Sequence, residues 1–358
     1  MLEYLFSFKV AITTYKFGLN FSIIATLISK TIGERELEDK TYSYAPVCII
    51  AYNRVDKIKK TIECLAKNTL ADKTDVYVFA DAPKNDKAIK GVQEVREYLD
   101  SLKGLGFQSL HIIKAEKNLG ILGSIMRYGE LIFKQYDCFI GLEDDIQTHP
   151  YFLSYMNDAL AYYRDNKQVM AVTAFTHQIA NTKSKTLQNY PYDVLFSYAF
   201  HSWGWGMWRD RWEQIDWIHS DISWYVCNPK HWFRGAILSW FHLVAIRSSS
   251  SRGYTIGDLW DVHLSHILYR ENKVCVWPSQ FSYTRNFGFD GTGVHKFNFE
   301  SGVVDFEFAT PKEHLRFTNE INLSKWFHFK IGLRYAMVWS FGFVKMFKNK
   351  ILKGIKNG

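Results

Sequence analysis

The sequence predicts an α/β protein built on a mainly parallel sheet with helices on both faces. Between Pro46 and Thr173, short apolar runs alternate with segments whose apolar residues recur at helical spacing. That β-α-β-α order implies parallel strands joined by crossover helices. A second observation sharpens the first: Asn53-Arg54, Asp81 and Glu143-Asp144-Asp145 each fall just after a strand-like run. Ligands of such sheets bind outside the carboxyl ends of the strands, so these residues are expected to line one crevice.

Val47-Cys48-Ile49-Ile50-Ala51 is the first strand, and Val55, Ile58, Ile62 and Leu65 mark one face of the helix that follows. Val76-Tyr77-Val78-Phe79 is a strand with Asp81 at its end, followed by a helix over 88–102 and a strand over 110–113. Asn118-Leu119-Gly120 turns the chain into a helix over 121–136. Next, Phe139-Ile140-Gly141-Leu142 runs directly into three consecutive carboxylates, a pattern expected of a buried strand with a charged tip. A helix over 150–164 and a strand over 169–173 complete this half.

Adjacent acids repel one another, so a sheet edge that carries three of them calls for a cation or a cationic ligand. A divalent metal serving a nucleotide diphosphate is one reading of Glu143, Asp144 and Asp145. The other is that they open the next helix, whose exposed N–H groups favour negative charge. Arg54 has a phosphate-clamping reading and a surface helix-start reading; Asp81 is either a hydrogen-bond acceptor for a base or ribose, or a turn residue before Pro83.

The second half is more irregular. Phe200-His201-Ser202-Trp203-Gly204-Trp205-Gly206-Met207-Trp208 sets glycines between indoles, which fits flat sugar-facing rings as well as a packed aromatic corner. Asp258-Leu259-Trp260-Asp261-Val262-His263 opens a helix with further carboxylates; His263 and His266 read as a solvated face rather than metal ligands. A strand over 274–278 precedes Arg285-Asn286-Phe287-Gly288 and a Gly-rich loop reaching His295.

Composition narrows the function classes. The net charge of +8 comes entirely from the C-terminus: beyond Ile321 there are eight Lys or Arg and no acid, leaving 36 basic against 36 acidic residues elsewhere. A neutral body and no recognised module argue against nucleic-acid binding. Five cysteines without CxxC spacing indicate neither a zinc site nor a disulfide framework, and point to a reducing compartment. The longest uncharged run near the N-terminus, Phe17 to Ser29, is too short to span a bilayer and has no cleavage signature after it. From Lys325 the tail interleaves aromatics with lysines, as an interfacial helix on anionic lipid does, or a helix packed on the body with its lysines solvated.

Taken as an ordered set, these residues resemble the metal-dependent GT-A glycosyltransferases, and within them the N-acetylglucosaminyltransferase I family and its bacterial relatives. The resemblance runs from Pro46 to Phe299 and rests on Asn53-Arg54, Asp81, Glu143-Asp144-Asp145 before a Pro-Tyr-Phe helix, Gly204-Trp205, Trp260-Asp261 and Arg285-Asn286-Phe287-Gly288. It implies a GT-A (Rossmann-like) fold in which Arg54 and Asp81 hold the nucleotide base, Asp144 the ribose, and Asp145 a Mn²⁺ or Mg²⁺ ion on the diphosphate. Asn53 and Glu143 belong with that nucleotide group, and Asp261 matches the catalytic base. Trp205, Trp260, Arg285 and His295 are assigned to the acceptor side and to a loop, Gly288 to His295, that orders over the donor.

The expected organisation is an N-terminal arm and linker over 1–45, a catalytic domain over 46–310 divided near 175, and a basic membrane-associating tail over 311–358. The expected activity is inverting transfer from a nucleotide-sugar, UDP by resemblance, to a glycan acceptor. That acceptor is expected to be lipid-linked, in bacterial surface polysaccharide synthesis at the cytoplasmic face of the membrane. A nucleotidyltransferase is disfavoured because Val47 to Asn53 contains no Gly for a phosphate loop. A non-catalytic sugar-binding or scaffold protein is disfavoured by the intact Asp145 and Asp261.

Overall fold

A computed structural model describes residues 44–176, 190–217, 260–279, 281–288 and 315–321, all within the unit Tyr44–Gly358. Residues 1–43 of the arm and linker expected over 1–45, the part of the tail beyond 321, Asp258 and His295 lie outside the described residues.

Apolar strands form the centre. β1 (Val47–Ala51), β2 (Asp75–Ala80), β3 (Ser109–Lys114) and β4 (Cys138–Glu143) pair in parallel, with β1 between β2 and β4. Three helices connect them: α1 (Val55–Leu65), α2 (Asp86–Ser101) and α3 (Gly120–Ile132). Alternate residues of β1 face different cores, as its pleat requires. Val47, Ile49 and Ala51 join Ile58, Ile62 and Leu65 of α1, and Cys48 joins Ile125, Tyr128 and Ile132 of α3. Both faces of the sheet are therefore covered, which is why its strands read as unbroken apolar runs.

β5 (Ile146–Thr148), α4 (Phe152–Tyr163) and β6 (Val169–Thr173) follow, then β7 (Val194–Ser197), β8 (Trp205–Trp208), the short α5 (Arg209–Trp212), α6 (Trp260–Arg270), β9 (Val274–Pro278) and β10 (Thr284–Asn286). The eight-stranded sheet has the order β3-β2-β1-β4-β8-β6-β9-β7, and β5 pairs with β10 in a separate antiparallel ribbon.

The expectation of a mainly parallel sheet holds, with two differences in the second half. β8, part of the aromatic stretch read as irregular, inserts antiparallel between β4 and β6. It fits because Gly141 of β4 lies opposite Trp205, and a Cβ there would stand 2.6 Å from the indole nitrogen. The three acids, moreover, do not open α4; β5 intervenes, and its pairing carries Arg285 and Asn286 to the end of β4.

Strand order reverses at β1: β2 and β3 step away on one side, and β4 returns on the other. The residues following β1 and β4 thus flank the point where neighbouring connections leave in opposite directions, the place at which sheets of this kind bind their ligands.

Candidate functional site

Ile50 of β1 is in register with Glu143 of β4, so Arg54 and the acids emerge side by side. The Arg54 carbonyl accepts from the amides of Lys57 and Ile58 at 3.2 and 3.1 Å, which starts α1 and fixes the backbone beneath the guanidinium. Nη2 of Arg54 donates to Asp144 and, at 2.9 Å, to Asp145; Nε reaches the second Asp144 oxygen at 3.4 Å. Nη1 is buried with no partner among the described residues. Burial works against the guanidinium charge, but Asp144 and Asp145 outweigh it and raise the pKa of Arg54 above its ordinary value. Thr61 of α1 donates to the Asp144 carbonyl at 2.7 Å and holds that backbone against the helix.

The acids are electrostatically crowded. Burial, then the charge of Asp145, pushes Glu143 up to about 8, with Asp261 adding to the rise and a Ser202 hydrogen bond opposing it. Asp144 is pushed up to about 6, again first by burial, with Arg54 pulling it down and Asp145 pushing it up. Asp261 lies in the first turn of α6, where its carboxylate accepts from the Val262 amide at 2.9 Å. Its charge is felt at Glu143, where it adds to the rise. Ser202, from the aromatic stretch, was not singled out from sequence; only its buried bond to Glu143 reveals it.

Asp81 is engaged by the turn that leads into α3. One carboxylate oxygen accepts from the amides of Ala82 and Leu119 at 2.8 and 2.9 Å; the other accepts from Asn118 Nδ2 and the Gly120 amide at 2.9 and 3.0 Å. Four donors fill its four lone-pair positions. Asp81 therefore fixes the turn into α3, where Gly120 has φ +68°. Asn53 lies beside this turn's sheet edge, with Gly91 of α2 packed so closely that a Cβ there would stand 2.7 Å from the Asn53 carbonyl oxygen.

Trp205 and Trp260 are 2% and 3% exposed and pack together at 5.2 Å, with Phe200 against both. This is a packed aromatic corner, the alternative reading of the stretch, with both indoles buried among rings. Their contribution is support for Gly141 and for the start of α6. Arg285 is paired with Gln147 in the β5–β10 ribbon, and its neighbours touch Asp145 directly. Asn286 Nδ2 lies 3.4 Å from Asp145 Oδ1, and the Phe287 amide donates to the Asp145 carbonyl at 3.0 Å.

Among the described residues, no group of three or more His, Cys, Asp or Glu is arranged to hold a metal ion. A magnesium- or manganese-type cation on a diphosphate needs only one or two carboxylates, its remaining ligands being phosphate oxygens and water. The hard oxygen donors of Asp144 and Asp145, the raised pKa of Glu143 and the orphaned Arg54 Nη1 beside them fit such a pairing of cation and anion.

The GNT-I family model matches this chain over residues 21–258. Among solved structures, the crystal structure of S. aureus TarS is similar at 15% identity and a TM-score of 0.31, over 48% of this chain and 29% of that one. The chain thus spans less than a third of that protein's length. A comparison with curated proteins finds no match.

Proposed function

The chain belongs to the GNT-I family of glycosyltransferases, and from that premise we propose that it is an inverting enzyme that moves a sugar from a UDP-sugar to a glycan hydroxyl. The observation that carries this reading is the convergence of Arg54, Asp144 and Asp145 at the reversal of strand order, with the charge of Asp261 felt at Glu143. Residues 46–175 form the nucleotide half and 176–310 the acceptor half.

Asp144, buried beside Arg54, is suited to accept from ribose hydroxyls. Arg54, held charged by its carboxylates, presents Nη1 to an anionic oxygen. Asp145 would hold a Mg²⁺ or Mn²⁺ ion, which supplies Lewis-acid stabilisation of the departing diphosphate. Asp261 takes the proton from the acceptor hydroxyl as its oxygen bonds to the anomeric carbon and the bond to the phosphate oxygen breaks on the opposite face, giving inversion. A basic aromatic tail and a family of glycan-building enzymes support a lipid-linked acceptor of surface polysaccharide, reached from the cytoplasmic face. Among the described residues no helix is long and apolar enough to cross a membrane.

The test is turnover and donor binding of Asp261→Asn. Donor affinity stays near that of the natural protein while turnover falls by about 10² to 10⁴. Near-normal turnover overturns the assignment of Asp261.

A further inference from the structure

Asp145 is held by the end of β10 and the segment that follows it, as well as by Arg54. β10 pairs with β5, setting Asn286 opposite Ile146, and the next amide, Phe287, donates to the Asp145 carbonyl at 3.0 Å. Asn286 is used at both ends of its amide: Nδ2 points to Asp145 Oδ1 at 3.4 Å and Oδ1 accepts from the Gly288 amide at 2.7 Å. Gly288 completes the grip by what it lacks. A Cβ built there would overlap Asp145 Oδ2 and stand 2.7 Å from Cγ and 3.0 Å from Cβ of the same residue, and no other residue supplies a nearer atom.

The segment is itself anchored. Lys57 Nζ donates to the Phe287 carbonyl at 3.3 Å, and the ammonium groups of Lys57 and Lys60 lie 5.2 and 4.6 Å from the centre of the Phe287 ring. The α1 helix, which Arg54 caps, therefore also holds Phe287, the residue before Gly288. Oδ2 of Asp145 meets Arg54 Nη2 and is the atom nearest the place a Gly288 Cβ would take, while Oδ1 faces the Asn286 amide.

We propose that Asn286 and Gly288 are positioning residues for Asp145, orienting its carboxylate for a divalent cation that arrives with the donor diphosphate. This rests on the donor-site reading above. Neither residue touches the sugar or the nucleotide in this account; both act through Asp145. Outer partners of a metal ligand lower metal affinity by about 10- to 100-fold when removed.

The experiment titrates Mn²⁺ into the full chain with UDP present and reads free Mn²⁺ by electron paramagnetic resonance, for the natural protein, Asn286→Ala and Gly288→Ala. UDP affinity without metal and the melting temperature are measured alongside. The expected result is roughly tenfold or greater weakening of Mn²⁺ binding in each variant, with metal-free UDP affinity unchanged. Asn286→Ala adds no atoms, so it carries the test if Gly288→Ala does not fold. Unchanged Mn²⁺ affinity in a folded variant overturns the proposal, as does an equal loss of metal-free UDP binding. Failure of the natural protein to bind Mn²⁺ with UDP overturns the donor-site reading instead, and is read from that protein alone.

Discussion

Arg54 and Asp145 are joined by a 2.9 Å ion pair through the same guanidinium nitrogen that also serves Asp144. The cation of this side chain stands where a metal-bound diphosphate is proposed to bring both a cation and an anion. Arg54 therefore stabilises the acids when no donor is present and has an unused N–H for the donor when it arrives.

Arg54→Ala leaves two buried carboxylates without their cation. Breaking such a pair from one side costs about 2 to 4 kcal/mol at a partly exposed position. Thermal unfolding of this variant is expected at lower temperature, and added Mn²⁺ is expected to recover more of the loss than it adds to the natural protein. Equal shifts in both proteins contradict this.

Asp81→Asn separates the two roles considered for this residue. An amide in its place replaces two acceptor positions with N–H donors that face the N–H groups now satisfied there, so a loss of about 1 to 3 kcal/mol is expected in denaturant unfolding. Nucleotide affinity of the folded variant is expected to stay near normal. Weak nucleotide binding with full stability supports a direct contact instead.

The metal-free protein should lose stability as pH rises through the range set by Glu143. Its carboxyl has an ordinary value of 4.5 and is pushed up to about 8 by burial and neighbouring acids. Between these values the folded state holds the proton and the unfolded chain has released it, so stability falls with rising pH. Glu143→Gln has no proton to lose and should be more stable than the natural protein at pH 9, by on the order of 2 kcal/mol. Unfolding measured in chelator at pH 5 and pH 9 checks this; a parallel decline in both proteins contradicts it.

What the sequence made legible was local. β1, β2, β4 and β6 are apolar runs of a sheet buried on both faces, and the positions just after β1 and β4 carry the polar residues that meet at the reversal point. Partnerships across distance were not legible. Asp81 finds its donors at Asn118 to Gly120, and nothing in the spacing distinguishes a carboxylate that closes a turn from one that awaits a ligand.

The aromatic stretch posed the same problem in another form. Indoles separated by glycines fit an open sugar platform and a closed corner equally well, and it is the pairing of Trp205 with Gly141 that reveals the corner. The role of Asn286 and Gly288 depends on the antiparallel ribbon of β5 and β10, two short strands far apart in sequence. Their motif was visible, but its target was not.

The central claim is that Asp145 and its neighbours bind a nucleotide-sugar through a divalent cation. The most direct measurement is a thermal-shift panel of UDP-, GDP-, CMP- and dTDP-sugars, each with and without Mn²⁺, on the natural chain and on Asp145→Ala. Stabilisation by the UDP-sugar only when Mn²⁺ is present, absent in Asp145→Ala, is the predicted result. No shift with any nucleotide, or a shift indifferent to both metal and Asp145, contradicts it.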